Sequence, residues 1–345
     1  MDNRHQTNEM LITTAQHHLN DLLTLAFEHT SRERAMVVYD THCRISTILT
    51  HAYQRALPHA TCIDFHTQPP EMTRQQLQAL DPCDLVVLIQ STSFRMDAFR
   101  LRVELFKLKL KVIEHPHLGR MSEDEADAFV DSLAYDKDYY RGVGRALKAK
   151  IDVAQCGKVH NSGGTLYYDS PFESAKLNIG DYREMPNTGG QFPLGEVFTE
   201  AQELRAVHGR AAIFGFGDVN YKLNVPPIPI IMIIHEGQVI DTENSTPEFD
   251  IILESIRRDE GTVWVRELGL GLNRAFTKER TVADTGTYER MAGVHLSLGA
   301  KHGIYGKPGF RRRDGKYHVD VFVDTNTFML DDEVVYQEGA WCVET

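Results

Sequence analysis

Cysteine is scarce and scattered: Cys43, Cys62, Cys83, Cys156 and Cys342 are the full set, with no close pair. That spacing excludes a C-x-x-C zinc or redox motif and leaves no disulfide framework. Positive charge is also short. Lys and Arg number 37 against 49 Asp and Glu, a net charge of −12 that argues against a broad basic surface for nucleic acid. The one dense basic cluster, Arg311-Arg312-Arg313, lies in a turn running from Gly309 to Gly315 and reads as a solvated loop. Long apolar runs are missing as well. The longest, Val225 to Ile234, holds three prolines and falls far short of the ~20 residues that span a bilayer. The polar opening Met1-Asp2-Asn3-Arg4-His5-Gln6 carries no basic-then-apolar leader. The expectation is a cytoplasmic protein with neither a membrane nor a nucleic-acid partner.

At 345 residues the chain exceeds the usual single domain, and its texture changes near residue 152. Before that point, short apolar runs at 35–39, 61–65, 85–89 and 108–113 alternate with helical stretches at 9–30, 44–56, 73–80 and 122–150. This alternation predicts an α/β N-terminal domain (1–152), flavodoxin-like, with a doubly wound parallel sheet. The crevice of such a sheet lies at the strand ends. Asp40-Thr41-His42 and Gln90-Ser91-Thr92-Ser93, which fall there, lack the glycines of a phosphate cradle. The histidines of this half, His42, His66, His115 and His117, read as structural or exposed. From 153 to 345 the chain is rich in strands and glycine. Runs at 163–168, 211–216, 228–234, 262–267, 294–298 and 317–323 predict a strand-rich α+β domain.

Four segments of that second domain carry the chemistry. His318-Val319-Asp320 sits in a run of alternating valines, so its imidazole and carboxylate share one face of a strand. Glu196 ends the Gly/Pro-rich loop Pro193-Leu194-Gly195, and Glu267 leads into Leu268-Gly269-Leu270-Gly271, whose glycines allow close approach. His295 lies on Val294-His295-Leu296-Ser297-Leu298. Singly, each has an ordinary explanation as a surface carboxylate or a core histidine. Together they supply three carboxylates and two imidazoles, the inventory for one or two divalent ions of Zn, Co, Mn or Fe(II).

The order and wording of these segments resemble the aminopeptidase T family of metallo-aminopeptidases. The matching phrases are Met185-Pro186, then LGEVF (194–198), ELGLGLN (267–273), GVHLSLG (293–299) and YHVDVFVD (317–324), with PPIPIIMIIHEGQVID (226–241) between the first two motifs. The resemblance implies that Glu196, Glu267, His295, His318 and Asp320 are metal ligands of a catalytic α+β domain. It also implies a water-activating metal centre, a homodimer, and a small peptide or amino-acid-derived substrate cut at its N-terminal amide. Glu196 or Glu267 would act as general base. Where the family has a tyrosine seven residues after the motif histidine, this chain has His302, which joins the catalytic candidates; Tyr305 lies off register. Glu289 stands close to, but not in line with, the family's carboxylate ahead of His295. The 2,5-dihydroxypyridine 5,6-dioxygenases are similar at the H-x-D strand, which implies as an alternative a mononuclear non-haem Fe(II) oxygenase acting on a small aromatic or amino-acid-derived substrate. They lack a histidine corresponding to His295 and have one where this chain has Glu267. The ligand set thus sides with the peptidase.

Overall fold

The structure is a computed structural model describing residues 2–96, 99–307 and 315–345; the Arg311-Arg312-Arg313 run lies outside them. Contacts divide the chain into two compact units, Met1–Lys137 with Gly180–Leu194, and Asp138–Ile179 with Gly195–Thr345.

The first unit is a parallel sheet of β1 (Ala35–Tyr39), β2 (Thr61–Asp64), β3 (Leu85–Ile89) and β4 (Lys111–His115), with Gly189–Gln191 added beside β4. The order is Gly189–Gln191, β4, β3, β1, β2. Residues of the Leu-Val-Val-Leu-Ile type at β3 are buried on both faces, as a sheet covered by helices requires. On one face Met36, Val38, Val86, Leu88 and Val112 pack with Leu77, Leu101 and Leu105 of two flanking helices. Helix α1 (Asp2–Asp21) packs on α2 (Arg44–Ala56), and α2 in turn on β1 and β3. Helix α2 starts where Cys43 and Ser46 satisfy each other's backbone N–H groups, and it stops before Pro58. The expected strand at 108–113 begins later, at Lys111. Leu108 and Lys109 close the preceding helix by bonding back to Glu104 and Phe106, and Lys109 takes a left-handed turn at φ +60°.

In the second unit, helix α3 (Lys137–Ile151) is set apart from the short helix Ala126–Asp131 rather than forming one stretch from 122 to 150. It belongs with the strands that follow it. A Cβ on Gly144 would fall 2.6 Å from Ile179, and Lys148 and Lys150 bond to the Ala175 carbonyl and the Glu333 carboxylate. The unit is built on one large antiparallel sheet. Its central run, in spatial order, is β6 (Val207–Gly217), β9 (Val319–Val323), β8 (Gly293–Leu298), β7 (Val265–Gly271) and β5 (Glu196–Glu200). Helix α4 (Pro247–Glu260) is capped by the Thr246 hydroxyl, has Pro247 in its first turn and ends at Gly261 with φ +84°. An α/β parallel sheet and a large strand-rich antiparallel sheet make up the fold class the sequence texture predicts, though residues 138–152 and 180–194 group otherwise than a boundary near 152 implies. Among the described residues no helix is long and apolar enough to cross a membrane.

Candidate metal centre

Four neighbouring strands bring the chemistry to one face. Glu196 is paired with Gly271, Gly269 with His295, and Ser297 with Asp320. Directly opposed residues in an antiparallel pair project from the same side. The two glycines of β7 explain how an imidazole fits there. A Cβ at Gly269 would sit 2.0 Å from His295 Nε2, so the ring lies over bare backbone. At Gly271 a Cβ would meet the Met291 carbonyl oxygen. His295 is wholly buried, with Nε2 3.5 Å from Glu196 Oε1 and 3.7 Å from Glu267 Oε1.

A second layer holds the loop that follows β8. Buried Arg266 pairs with Glu200 and donates to the carbonyls of Ala300 (2.9 Å) and Tyr305 (3.4 Å). Glu260, at the end of α4, accepts the N–H groups of Ala300, Lys316 and Tyr317 at 2.6–2.9 Å. This double tether sets His302 Nε2 3.3 Å from Glu267 Oε2. It also fixes His318, whose Nδ1 lies 3.1 Å from the Lys301 carbonyl. A carbonyl only accepts, so Nδ1 carries hydrogen, and in the neutral ring Nε2 holds the lone pair, 3.1 Å from Asp320 Oδ1.

Arg290 is the group sequence reasoning missed. Its guanidinium is buried, 2.8 Å from Glu196 Oε2 and paired with Glu289. It arrives because the end of β7 bonds to its turn: Asn273 N–H donates to the Arg290 carbonyl and Ala292 N–H to the Asn273 carbonyl. A Glu-Arg dipeptide five residues before a candidate ligand, between buried Tyr288 and Met291, was the available signal.

The electrostatics follow from packing. Burial pushes Glu267 up, but His295, His318 and His302 beside it outweigh burial and hold its pKa at about 2. Burial disfavours a charged His295, yet Glu196 and Glu267 push it up to about 10. The same contest, won by Asp320, raises His318 to about 10. His302 is lowered to about 4, chiefly by burial, and is neutral at pH 7. Glu289 is raised to about 8 by burial, opposed by Arg290.

Glu196, Glu267 and His295 place one ligand atom each within 4.8 Å of one another, all buried. His302 touches Glu267; His318 and Asp320 are not among those three, His318 lying with its ring centroid 6.1 Å from that of His302, and Asp320, on β9, lying opposite Ser297. The Tyr305 hydroxyl is turned away, donating to the carbonyls of Ser174 and Phe198. Both nitrogens of His295, His302 Nε2 and Asp320 Oδ1 are buried and make no well-formed hydrogen bond; all but His295 Nδ1 stand within ion-pair distance of an opposite charge. Leaving such groups unmatched costs ~1–3 kcal/mol each. A divalent ion would match several of them at once, so the residues present fit a metal of the N/O-preferring kind.

No family model matches the chain, and no curated protein sequence does. Among the similar solved structures are two that align over nearly the whole chain. The 2,5-dihydroxypyridine dioxygenase from Pseudomonas putida KT2440 superposes with a TM-score of 0.62 at 15% identity, covering 97% of each chain. Wild-type AmpT from Thermus thermophilus gives a TM-score of 0.58 at 13% identity, covering 96% of this chain and 99% of that one. The chain therefore has the fold shared by an aminopeptidase T and a dihydroxypyridine dioxygenase, the two families its motifs resemble.

Proposed function

We propose that the second unit is a metal-dependent hydrolase of the aminopeptidase type, releasing the N-terminal residue of a small peptide or amino-acid amide. One divalent ion, Zn, Co or Mn, would be held by Glu196, Glu267 and His295, with His318 and Asp320 beside them. Such an ion lowers the pKa of a water molecule and polarises a carbonyl. The remaining work falls to the chain. The His302–Glu267 pair handles the proton, with the neutral imidazole accepting it and the carboxylate orienting the ring. Arg290 ties down one oxygen of Glu196 and leaves the other facing His295. The guanidinium supplies fixed positive charge to Glu196 and Glu289, which supports a count of one.

The observation that carries this reading is His295, buried between two carboxylates at the centre of the cluster. The dioxygenases this chain resembles lack that histidine. The test is release of a chromophore from aminoacyl anilides, with each metal added under anaerobic conditions. The proposal expects turnover without oxygen, abolished in Glu267→Ala. Turnover that requires oxygen and Fe(II) would overturn it.

A further inference from the structure

The carboxyl ends of β1 and β2 repeat one small motif. Asp40-Thr41-His42 follows β1, and Asp64-Phe65-His66 ends and follows β2. In each, the aspartate Oδ1 accepts the N–H of the histidine two residues on, at 3.2 and 3.0 Å. Because β1 and β2 are parallel with Tyr39 opposite Asp64, the two turns deliver their imidazoles to the same spot. The rings stack with centroids 4.6 Å apart. Asp40, wholly buried, completes the group, and one ligand atom from each of Asp40, His42 and His66 lies within 4.8 Å of the others.

The position is one where open parallel sheets bind ligands. After β1 the chain moves outward to β2, then crosses back over β1 to β3, so the strand order reverses between β1 and β3. Asp40 and Ser91 flank that point and are bonded to each other: Asp40 Oδ2 accepts the Ser91 N–H at 2.8 Å and its hydroxyl at 2.9 Å. A carboxylate has about four lone-pair directions. Three protein donors use three of them and orient the fourth. A buried carboxylate repels a phosphate, so the crevice is built for a cation. The sulfur of Cys43, next in sequence, is engaged with the Ser46 N–H at the start of α2, which leaves a donor set of two imidazoles and one carboxylate. That set suits Zn, Ni or Cu and leaves coordination positions open to solvent or a small ligand.

We propose that Asp40, His42 and His66 form a second divalent-metal site, wholly within the N-terminal unit and independent of the cluster around His295. The test is equilibrium dialysis of the full chain against Zn(II), followed by elemental analysis. Wild type should carry one more ion per chain than His42→Ala/His66→Ala, whose exposed substitutions should leave thermal unfolding in the absence of metal unchanged. His208→Ala, which removes an exposed histidine paired with Asp169 at 2.8 Å, should keep the wild-type content. Zn content unchanged in His42→Ala/His66→Ala, or lost equally in His208→Ala, would overturn the site. Glu267→Ala/His295→Ala should lose the other ion. If that variant keeps the wild-type content while His42→Ala/His66→Ala loses an ion, the catalytic-metal reading fails and this site stands.

Discussion

Substituting Gly269 by alanine adds one methyl group to β7 and should disable the centre. The new Cβ would lie 2.0 Å from His295 Nε2, where ordinary contact begins at 3.4 Å, so the ring must retreat by about 1.4 Å. It has no easy route, because His295 is wholly buried and packed beside Phe322. Overfilling a packed interior costs ~1–3 kcal/mol. Moving a functional group by about 1 Å costs on the order of 100-fold in rate. Calorimetric metal titration and thermal unfolding measure both. Gly269→Ala should weaken metal binding at least tenfold and unfold at a lower temperature, whereas Gly303→Ala, whose Cβ meets nothing within 4 Å, should match wild type. Wild-type metal affinity in Gly269→Ala would refute the account of why β7 carries glycine opposite His295.

Three further outcomes are expected. Arg290→Met leaves Glu196 buried beside Glu289 without its cation; breaking such a pair costs ~3–5 kcal/mol, and added Zn(II) should raise Tm more in this variant than in wild type. An equal increment in both proteins would count against Arg290 as the resident cation. Glu260→Ala unties the N–H groups of Ala300, Lys316 and Tyr317, close in sequence to His302 and His318; supporting residues of this kind are worth ~10–100-fold in metal affinity, which competition with a chelator measures. His115, fully buried, is lowered by burial to about 3 from 6.5, so its contribution to stability is complete above pH 6.5 and is lost as pH falls toward 3. At pH 5 the loss depends on the unfolded value alone and amounts to about 2 kcal/mol, so denaturant unfolding at pH 8 and pH 5 should differ by that much less in His115→Asn.

The parallel sheet was legible because buried strands read as short continuous apolar runs; 35–39 and 85–89 match β1 and β3 to the residue. Strands at 325–330 and 333–337 escaped because their burial is mixed and their sequences lack clean alternation. The five candidate ligands were readable as motifs; Glu196, Glu267, His295 and Asp320 fall on adjacent strands of one sheet, while His318 stands just ahead of β9, which begins at Val319 rather than at 317. Arg290 was marked only by the Glu289-Arg290 dipeptide, because what makes it special is burial between that neighbour and Glu196, which comes from a different segment. His42 and His66 read from the sequence as structural or exposed. Only the parallel pairing of β1 with β2 places His42 against His66.

The central claim is that buried carboxylates and the buried imidazole of His295, on adjacent strands of one sheet, hold one divalent ion. Its most direct test is anomalous diffraction at the zinc edge from crystals grown with Zn(II). One peak among Glu196, Glu267 and His295 is the expected result. Two peaks there, or density only away from those three side chains, would contradict it.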